Sequence, residues 1–563
     1  MKGLWTTFAA LALAIGVVAF SHAQQIGTTD LLRGLAAPTR WLTHSGDYTS
    51  KRHSPLTQIT PENVARLTPA WTFEAALGFG RGAKFEATPI AIDGVLYVTG
   101  LLNHAWAIDG RTGSLIWHYE RKLPPGLPVC CGMVNRGFAV FGDRLFMATL
   151  DAHVIALDRK TGTTVWDMAM IDHQLGYSST AAPLVVKDKL IVGMAGGELA
   201  TRGFLDAYSL ETGKRHWRFN TIPAPGEPGG DTWPAGHFER GGGPTWITGS
   251  YDPELNLIYW GVGNPNPDFS GGNRPGDNLY TASVVALDPD TGRLRWHFQY
   301  TPHDEHDWDS NQIQVLADLP IGGRLRKTLL TANRNGFFYV LDRANGAFIQ
   351  AKPYVTTTWA KAVDANGRPI ELPNQRPTPE GTRTCPDLAG GSSFTSPSFD
   401  PMRRLFFVSA RETCQDFIAY PPGQYELGDY VMGGGTRNRG GTGALRAIDP
   451  VTLERKWEVA YDAPSYSGVL STASGLVFAG DGGATLMAVK AETGQVLWRH
   501  RLPGTFWGAP STMMVDGRQL LLMPAGQTLT AFALPSQSTN VVTAPEVREA
   551  RVARSRRARP RDR

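Results

Sequence analysis

The chain has 563 residues, with 55 Lys+Arg against 51 Asp+Glu and a formal charge of +4. The final run, "VREARVARSRRARPRDR", holds that excess, so the body is close to neutral or slightly acidic, which argues against nucleic acid as a partner. With 63 glycines, 39 prolines and 16 tryptophans, the composition fits an all-β protein rich in turns and excludes a mainly helical one.

The N-terminus reads "MKGLWTTFAALALAIGVVAFSHAQQ". Lys2 supplies a basic start, an apolar run covers residues 8–20, and Ser21-His22-Ala23 forms a small-residue cleavage site. Residues 1–23 are expected to be a secretory signal peptide, because the apolar run is too short for a membrane span. An uncleaved anchor is the alternative. No other long apolar run follows, so the exported protein is expected in the periplasm, without a membrane span. In such an oxidising compartment the four cysteines are expected to pair as disulfides.

From residue 107 onward one phrase recurs: a short alternating strand, Asp or its like, T-G, then Trp. The copies are "AIDGRTGSLIW" (107–117), "ALDRKTGTTVW" (156–166), "AYSLETGKRHW" (207–217), "ALDPDTGRLRW" (286–296), the degenerate "VLDRANGAFIQ" (340–350), "AIDPVTLERKW" (447–457) and "AVKAETGQVLW" (488–498). An eighth copy assembles from both ends: "LTAFALP" (529–535) gives the strand and "LTPAWTF" (67–73) the tryptophan. A strand that turns tightly at T-G and restarts on tryptophan builds one sheet of a radial array. A lone sheet of this kind cannot bury both faces, so it stacks on its neighbours. The repeat predicts an eight-bladed β-propeller over residues 24–540, closed by pairing the two ends, with 541–563 as a disordered basic tail. The alternative is a set of unrelated hairpins. The first tryptophans lie about 50 residues apart, and the wider spacings after Trp217 and Gln350 are expected to be loops that carry function.

Four stretches depart from the repeat. "LPVCCGMVNRG" (127–137) sets Cys130 beside Cys131. "GMAGGELATRG" (193–203) places Glu198 at a glycine-rich strand end, and "YWGVGNPNPDF" (259–269) places Asn264 in a similar setting. "TPHDEHDWDSNQ" (301–312) gathers Asp304, Glu305, Asp307 and Asp309. Carboxylate and amide oxygens are ligands for a hard cation. Taken singly, such residues are more commonly turn, edge or solvated-loop residues. The glycines of "ERGGGPTW" (239–246) make no phosphate loop, because no helix follows them.

Together these stretches resemble the pyrroloquinoline quinone (PQQ) dependent alcohol dehydrogenases, the methanol and ethanol dehydrogenase family of eight-bladed quinoproteins. The resemblance covers nearly the whole mature chain. It implies a disulfide between Cys130 and Cys131, with Arg136 nearby. A ring closed across adjacent residues, about 3.8 Å apart at Cα, is stiff and suits a platform against a flat cofactor. It also implies Trp246 on the other face of the quinone, polar contacts from Arg136, Thr180 and the backbone at Gly196 and Gly197, and Arg334 near the reactive oxygens. Without the resemblance, Arg334 would read as a surface ion pair.

The metal ligands so implied are Glu198, Asn264, Asp307 and Asp309, and Asp307 is the catalytic base. The carboxylate at Asp309 accompanies a lanthanide in this family, so calcium and a lanthanide both stand as the expected ion. The implied reaction oxidises a small alcohol: the cation polarises the quinone carbonyl, Asp307 takes the hydroxyl proton and hydride passes to the cofactor. No C-x-x-C-H haem motif is present, which implies a separate acceptor such as a periplasmic cytochrome c. A homodimer is allowed. Cys385 and Cys414 match a second family disulfide. His306 and Tyr466 depart from the better-known members, which carry tryptophan in those regions. They leave a second class of reading: a propeller that binds no quinone and serves as a binding or assembly module.

Overall fold

The computed structural model describes residues 25–75, 84–421 and 423–535. The expected signal peptide (1–23) and basic tail (541–563) lie outside the described residues. The described residues form eight sheets of four main antiparallel strands each, beside one small two-stranded sheet in which Ala360–Val363 pairs with Pro369–Glu371. Each repeat copy is the outer hairpin of one sheet. Ala105–Asp109 pairs with Leu115–Tyr119, His153–Asp158 with Thr164–Ala169, and Phe204–Ser209 with Arg215–Asn220. The degenerate copy behaves alike: Phe337–Asp342 pairs with Phe348–Pro353. Ring closure occurs where the sequence places it, with Thr68–Glu74 antiparallel to Thr528–Ala533 and Trp71 opposite Ala531.

The tryptophan explains how neighbouring sheets lock. Gly113 turns at φ +75°, and a Cβ there would sit 2.7 Å from the ring of Trp71 in the preceding sheet. Trp71 also donates Nε1–H to Gly110 O at 2.9 Å. The same pairing places Trp117 on Gly162, Trp217 on Gly292 and Trp457 on Gly494, each with an indole hydrogen bond into the same turn. A plate that packs over a bare glycine while satisfying its N–H fixes both spacing and rotation between sheets.

Burial follows position. The central strand Leu257–Val262 is buried throughout, whereas the outer strand Thr164–Ala169 is mostly exposed. Middle strands are therefore apolar on both faces, because both faces meet a neighbouring sheet.

Ahead of the first sheet, residues 38–54 run along the innermost strands. Their carbonyls accept from Met514 N, Tyr251 N, Leu316 N, Phe399 N and Ser471 N. Arg52 is fully buried in this segment and donates to His44 O, Pro510 O, Ala509 O and Thr88 Oγ1. The long hairpin Leu405–Ala419 with Gly434–Asp449 extends well beyond its sheet. The Cys385–Cys414 disulfide anchors it, as the resemblance implies.

In an up-and-down sheet, the connections between second and third strands, and those from fourth strand to next sheet, emerge at the same end. The T-G turns emerge at the other. Every expected site residue lies in a connection of the first kind.

Candidate active site

Cys130, Cys131 and Arg136 lie in the connection from Leu115–Tyr119 to Ala139–Phe141, and Thr180 lies in the next such connection. Gly196, Gly197 and Glu198 join Lys189–Gly193 to Phe204–Ser209, and Asn264 joins Leu257–Val262 to Ser283–Leu287. Trp246, Asp307, Asp309 and Arg334 come from three further connections. They surround one chamber of about 440 Å³, lined by Cys130, Cys131, Arg136, Thr180, Gly196, Glu198, Trp246, Asp307, Asp309 and Arg334. Asn264 is fully buried just behind the wall. A Cβ on Gly197 would lie 2.7 Å from its Oδ1, so glycine is what lets the two strand ends close up.

One wall is the Cys130–Cys131 disulfide. Cys131 Sγ lies 3.9 Å from Glu198 Oε1. These three side chains cluster with their ligand atoms within 4.8 Å of one another, but the sulfurs are bonded to each other, which leaves Glu198 as the ionic donor. Trp246, also on the chamber wall, is held by its Nε1–H, which donates to Asp309 Oδ2 at 3.0 Å. Arg136 stacks over the Trp246 ring at 4.7 Å and donates to Thr180 Oγ1 at 2.6 Å. It pairs with Glu86 at 2.6 Å, both side chains being buried.

Asp309 is the organising acid. Its oxygens accept from Trp246 Nε1, Arg334 Nη1 (2.6 Å) and the backbone N of Asn264 (2.7 Å). Asp268 accepts from Asn264 Nδ2 at 2.8 Å, and this turns the amide so that Asn264 Oδ1 has no hydrogen-bond partner. Asp268 Oδ2 and Asp307 Oδ1 are likewise buried without one. Asp307 has φ +57°, the left-handed region that a branched carboxylate side chain adopts at a cost.

Burial drives the carboxyls of Glu198, Asp268, Asp307 and Asp309 above their ordinary range, and repulsion from neighbouring carboxylates adds to it at Glu198, Asp268 and Asp307. Glu198 is pushed up to about 7. Arg334 opposes the shift at Asp307 and Asp309. A set of buried oxygens with unfilled lone pairs and excess negative charge is a hard-cation site in chemical character.

The "HDEHDWD" phrase divides in two. Asp307 and Asp309 face the chamber. Asp304 instead accepts from the backbone N of His306 (3.0 Å) and Trp308 (2.8 Å) and shapes the loop. Glu305 accepts from Gly271 N at 2.6 Å. His306 stacks on Trp308 at 4.2 Å and meets Gln375 O at 3.1 Å, and burial lowers its pKa to about 4. It lines a separate pocket behind the loop.

Sequence reasoning missed Glu86, Asp268, Phe394, Tyr430, Met432 and Trp507. Of these, Asp268 carried a signal, standing four residues after Asn264 in "NPNPD". Phe394, Tyr466 and Trp507 form a near-parallel stack, with Tyr466 and Trp507 4.6 Å apart at 13° and Phe394 and Tyr466 5.8 Å apart at 9°. Arg411 lies over Tyr466 and Lys84 over Trp507.

Residues 41–351 match the family described as glucose/ethanol/alcohol dehydrogenase, beta-propeller domain. Residues 441–550 match one described as outer membrane protein assembly factor BamB. The chain is 37% identical over 554 residues to the quinoprotein alcohol dehydrogenase PedH of Pseudomonas putida, covering 92% of this chain and 91% of that protein. It is 35% identical to the lanthanide-dependent methanol dehydrogenase of Methylacidiphilum fumariolicum, covering 88% and 86%. Among solved structures, a europium-containing methanol dehydrogenase superposes with a TM-score of 0.84 at 32% identity, over 90% of this chain and 100% of that one. The quinohemoprotein alcohol dehydrogenase of Comamonas testosteroni gives 0.85 at 33%, over 92% and 84%.

An eight-sheet propeller with one polar chamber on its loop face thus defines a quinoprotein oxidoreductase. The chain belongs to the PQQ-dependent alcohol dehydrogenases, and it oxidises an alcohol using PQQ and a bound metal ion. The assembly-module reading is set aside. Among the described residues, no helix is long and apolar enough to cross a membrane.

Proposed function

We propose that PQQ is held between the Cys130–Cys131 disulfide and the Trp246 indole, with the ion on Glu198, Asn264, Asp307 and Asp309. The observation that carries this reading is the trio of buried, unpartnered oxygens at Asn264, Asp268 and Asp307, of which Asp307 lines the chamber and the other two lie buried behind it. Arg136 and Thr180 present donors to a polyanionic ring, and Arg334 does so from the Asp309 side. Backbone at Gly196 and Gly197 completes the polar rim. Bound there, PQQ would supply the acceptor for the hydride, which carries both electrons of the oxidation.

Asp307 is the base. Its Oδ1 is free to take a hydroxyl proton, and its left-handed backbone fixes the direction of approach. Burial first, and then repulsion from Asp268, Asp309 and Glu198, raises the Asp307 carboxyl above its ordinary range, against the pull of Arg334. Positive charge placed among these oxygens draws it back to the base form. Four carboxylates sharing one chamber wall favour a trivalent ion over calcium on charge balance. The likeness to a lanthanide-dependent relative at 35% identity supports that choice.

We propose further that residues 1–23 direct export to the periplasm, that 24–540 form the propeller domain, and that electrons leave to a periplasmic cytochrome c. A relative from Thauera butanivorans, 36% identical, is named 1-butanol dehydrogenase (cytochrome c), which supports a carrier of that class. The deciding measurement is titration of the purified protein with PQQ plus calcium or a light lanthanide, reading quinone absorption, lanthanide luminescence and dye-linked alcohol oxidation. Saturable quinone binding with turnover that prefers the lanthanide is expected. Turnover with calcium alone would reverse the metal assignment, and no quinone binding with either ion would overturn the site.

A further inference from the structure

Part of the connection between the two long strands of the extended hairpin, residues 428–432, packs back against the rest of the loop face. It bends back over the loops that carry Glu198 and Asn264. Gly428 N donates to Leu199 O at 3.1 Å, Val431 N to Glu198 O at 2.8 Å, and Phe269 N to Met432 O at 2.9 Å. Asn266 Nδ2 donates to Val431 O at 2.8 Å. Val431 is thus tied through both its N–H and its C=O. In an extended run, the side chains on either side of such a residue point the same way. Here those are Tyr430 and Met432, and both line the chamber with Glu198 and Asp307.

Tyr430 is 61% exposed, so one side of its ring faces the chamber and the other faces solvent. Its hydroxyl donates to Met432 Sδ at 2.8 Å, which sets the ring's direction. Phe394, Tyr466 and Trp507 line the same chamber, and their rings stack on one another. The chamber wall therefore combines a packed aromatic stack with a single half-open tyrosine held by its own strand.

We propose that Tyr430, braced by Met432, is a specificity-determining residue of this enzyme, its ring setting the width of alcohol that reaches Asp307. The proposal rests on the alcohol-oxidising reading of the chamber and goes beyond it by assigning size selection to the hairpin connection. The ring does the selecting. The hydroxyl only orients it, and no proton passes through it.

The test compares holoenzymes of wild type, Tyr430→Ala, Tyr430→Phe and Met432→Ala, each loaded with PQQ and the preferred ion. For each, kcat/KM is measured for ethanol and for benzyl alcohol, with PQQ affinity by absorption titration and thermal midpoint alongside. Tyr430→Ala is expected to raise the benzyl-to-ethanol ratio about tenfold or more, the scale of one or two groups of pocket shape. Met432→Ala and Tyr430→Phe, each of which removes the hydroxyl–sulfur contact and keeps the ring, are expected to raise it less. PQQ affinity and thermal midpoint should stay unchanged, which a merely structural role would not allow. An unaltered ratio in both alanine variants, with full PQQ binding, would overturn the proposal, as would a change in Tyr430→Phe equal to that in Tyr430→Ala. A wild-type holoenzyme that binds PQQ and oxidises neither alcohol would instead overturn the reading of the chamber itself.

Discussion

The two faces of the propeller are built by opposite rules. On the turn face the same short phrase is written again and again, and most copies do one job: Asp and Thr close the turn, glycine bares its surface, and the neighbouring tryptophan covers it. On the loop face no two connections are alike. There Glu198, Asn264, the pair Asp307 and Asp309, and Arg334 come from four different connections, and oxygens of Asn264, Asp268 and Asp307 are left without partners. Regularity on one face supplies the rigidity that makes strain on the other affordable. A left-handed aspartate and four crowded carboxyls persist because eight locked sheets hold them.

The largest expected effect breaks the loop face alone. Asp307→Asn keeps shape and volume but removes the proton acceptor, so kcat should fall by about 10²–10⁴, the usual worth of a positioned base. Thermal stability should not drop. Removing a carboxyl that burial and three like charges destabilise is neutral or favourable to folding in the metal-free protein. Steady-state kinetics with a melting curve on the metal-free form checks both halves, and unchanged turnover would mean the base lies elsewhere.

The converse substitution belongs to the turn face. Trp117 is 9% exposed, covers Gly162 and donates to Arg159 O at 3.0 Å. Trp117→Ala opens a cavity between two sheets and strands that carbonyl, for a loss of about 3–5 kcal/mol. Urea unfolding measures it. Activity below the transition should survive, because no chamber residue shares the Trp117 turn. If stability and turnover fell together, the two faces would be coupled and the contrast between them would fail.

This contrast also explains what the sequence revealed. Repetition made the fold legible: seven phrases and one split copy gave eight sheets, and even the degenerate "VLDRANGAFIQ" took its place, since its strand pattern survived the loss of tryptophan. Site residues were legible where chemistry is dense, as at Cys130-Cys131 and "HDEHDWD". Within that last phrase, composition could not tell loop-shaping acids from chamber acids. Asp304 and Glu305 accept backbone N–H groups while Asp307 and Asp309 face the cavity, a division set by loop path and not by residue type. Glu86 was invisible because its partner Arg136 is distant in sequence, and a single glutamate in a connection carries no pattern. Tyr430, Phe394 and Trp507 were missed for the same reason. Aromatic residues abound in this chain, and only the bend of the long hairpin brings Tyr430 to the chamber that the other two line.

The smallest expected effect tests whether turn-face charges matter at all. Lys187 Nζ meets Asp290 Oδ2 at 2.7 Å, joining a turn of one sheet to the "DPDTG" turn of the next, and both side chains are 41% exposed. Water screens such a pair, and holding a lysine in one rotamer cancels part of its attraction. Asn256 Nδ2 also bonds Asp290 Oδ2, at 3.0 Å, so the carboxylate keeps a partner when the lysine is gone. Lys187→Ala should therefore cost less than about 1 kcal/mol in urea unfolding, with the difference shrinking further in high salt and turnover unaffected. A loss on the scale of Trp117→Ala would place the inter-sheet lock in the charges and not in the indole packed on bare glycine.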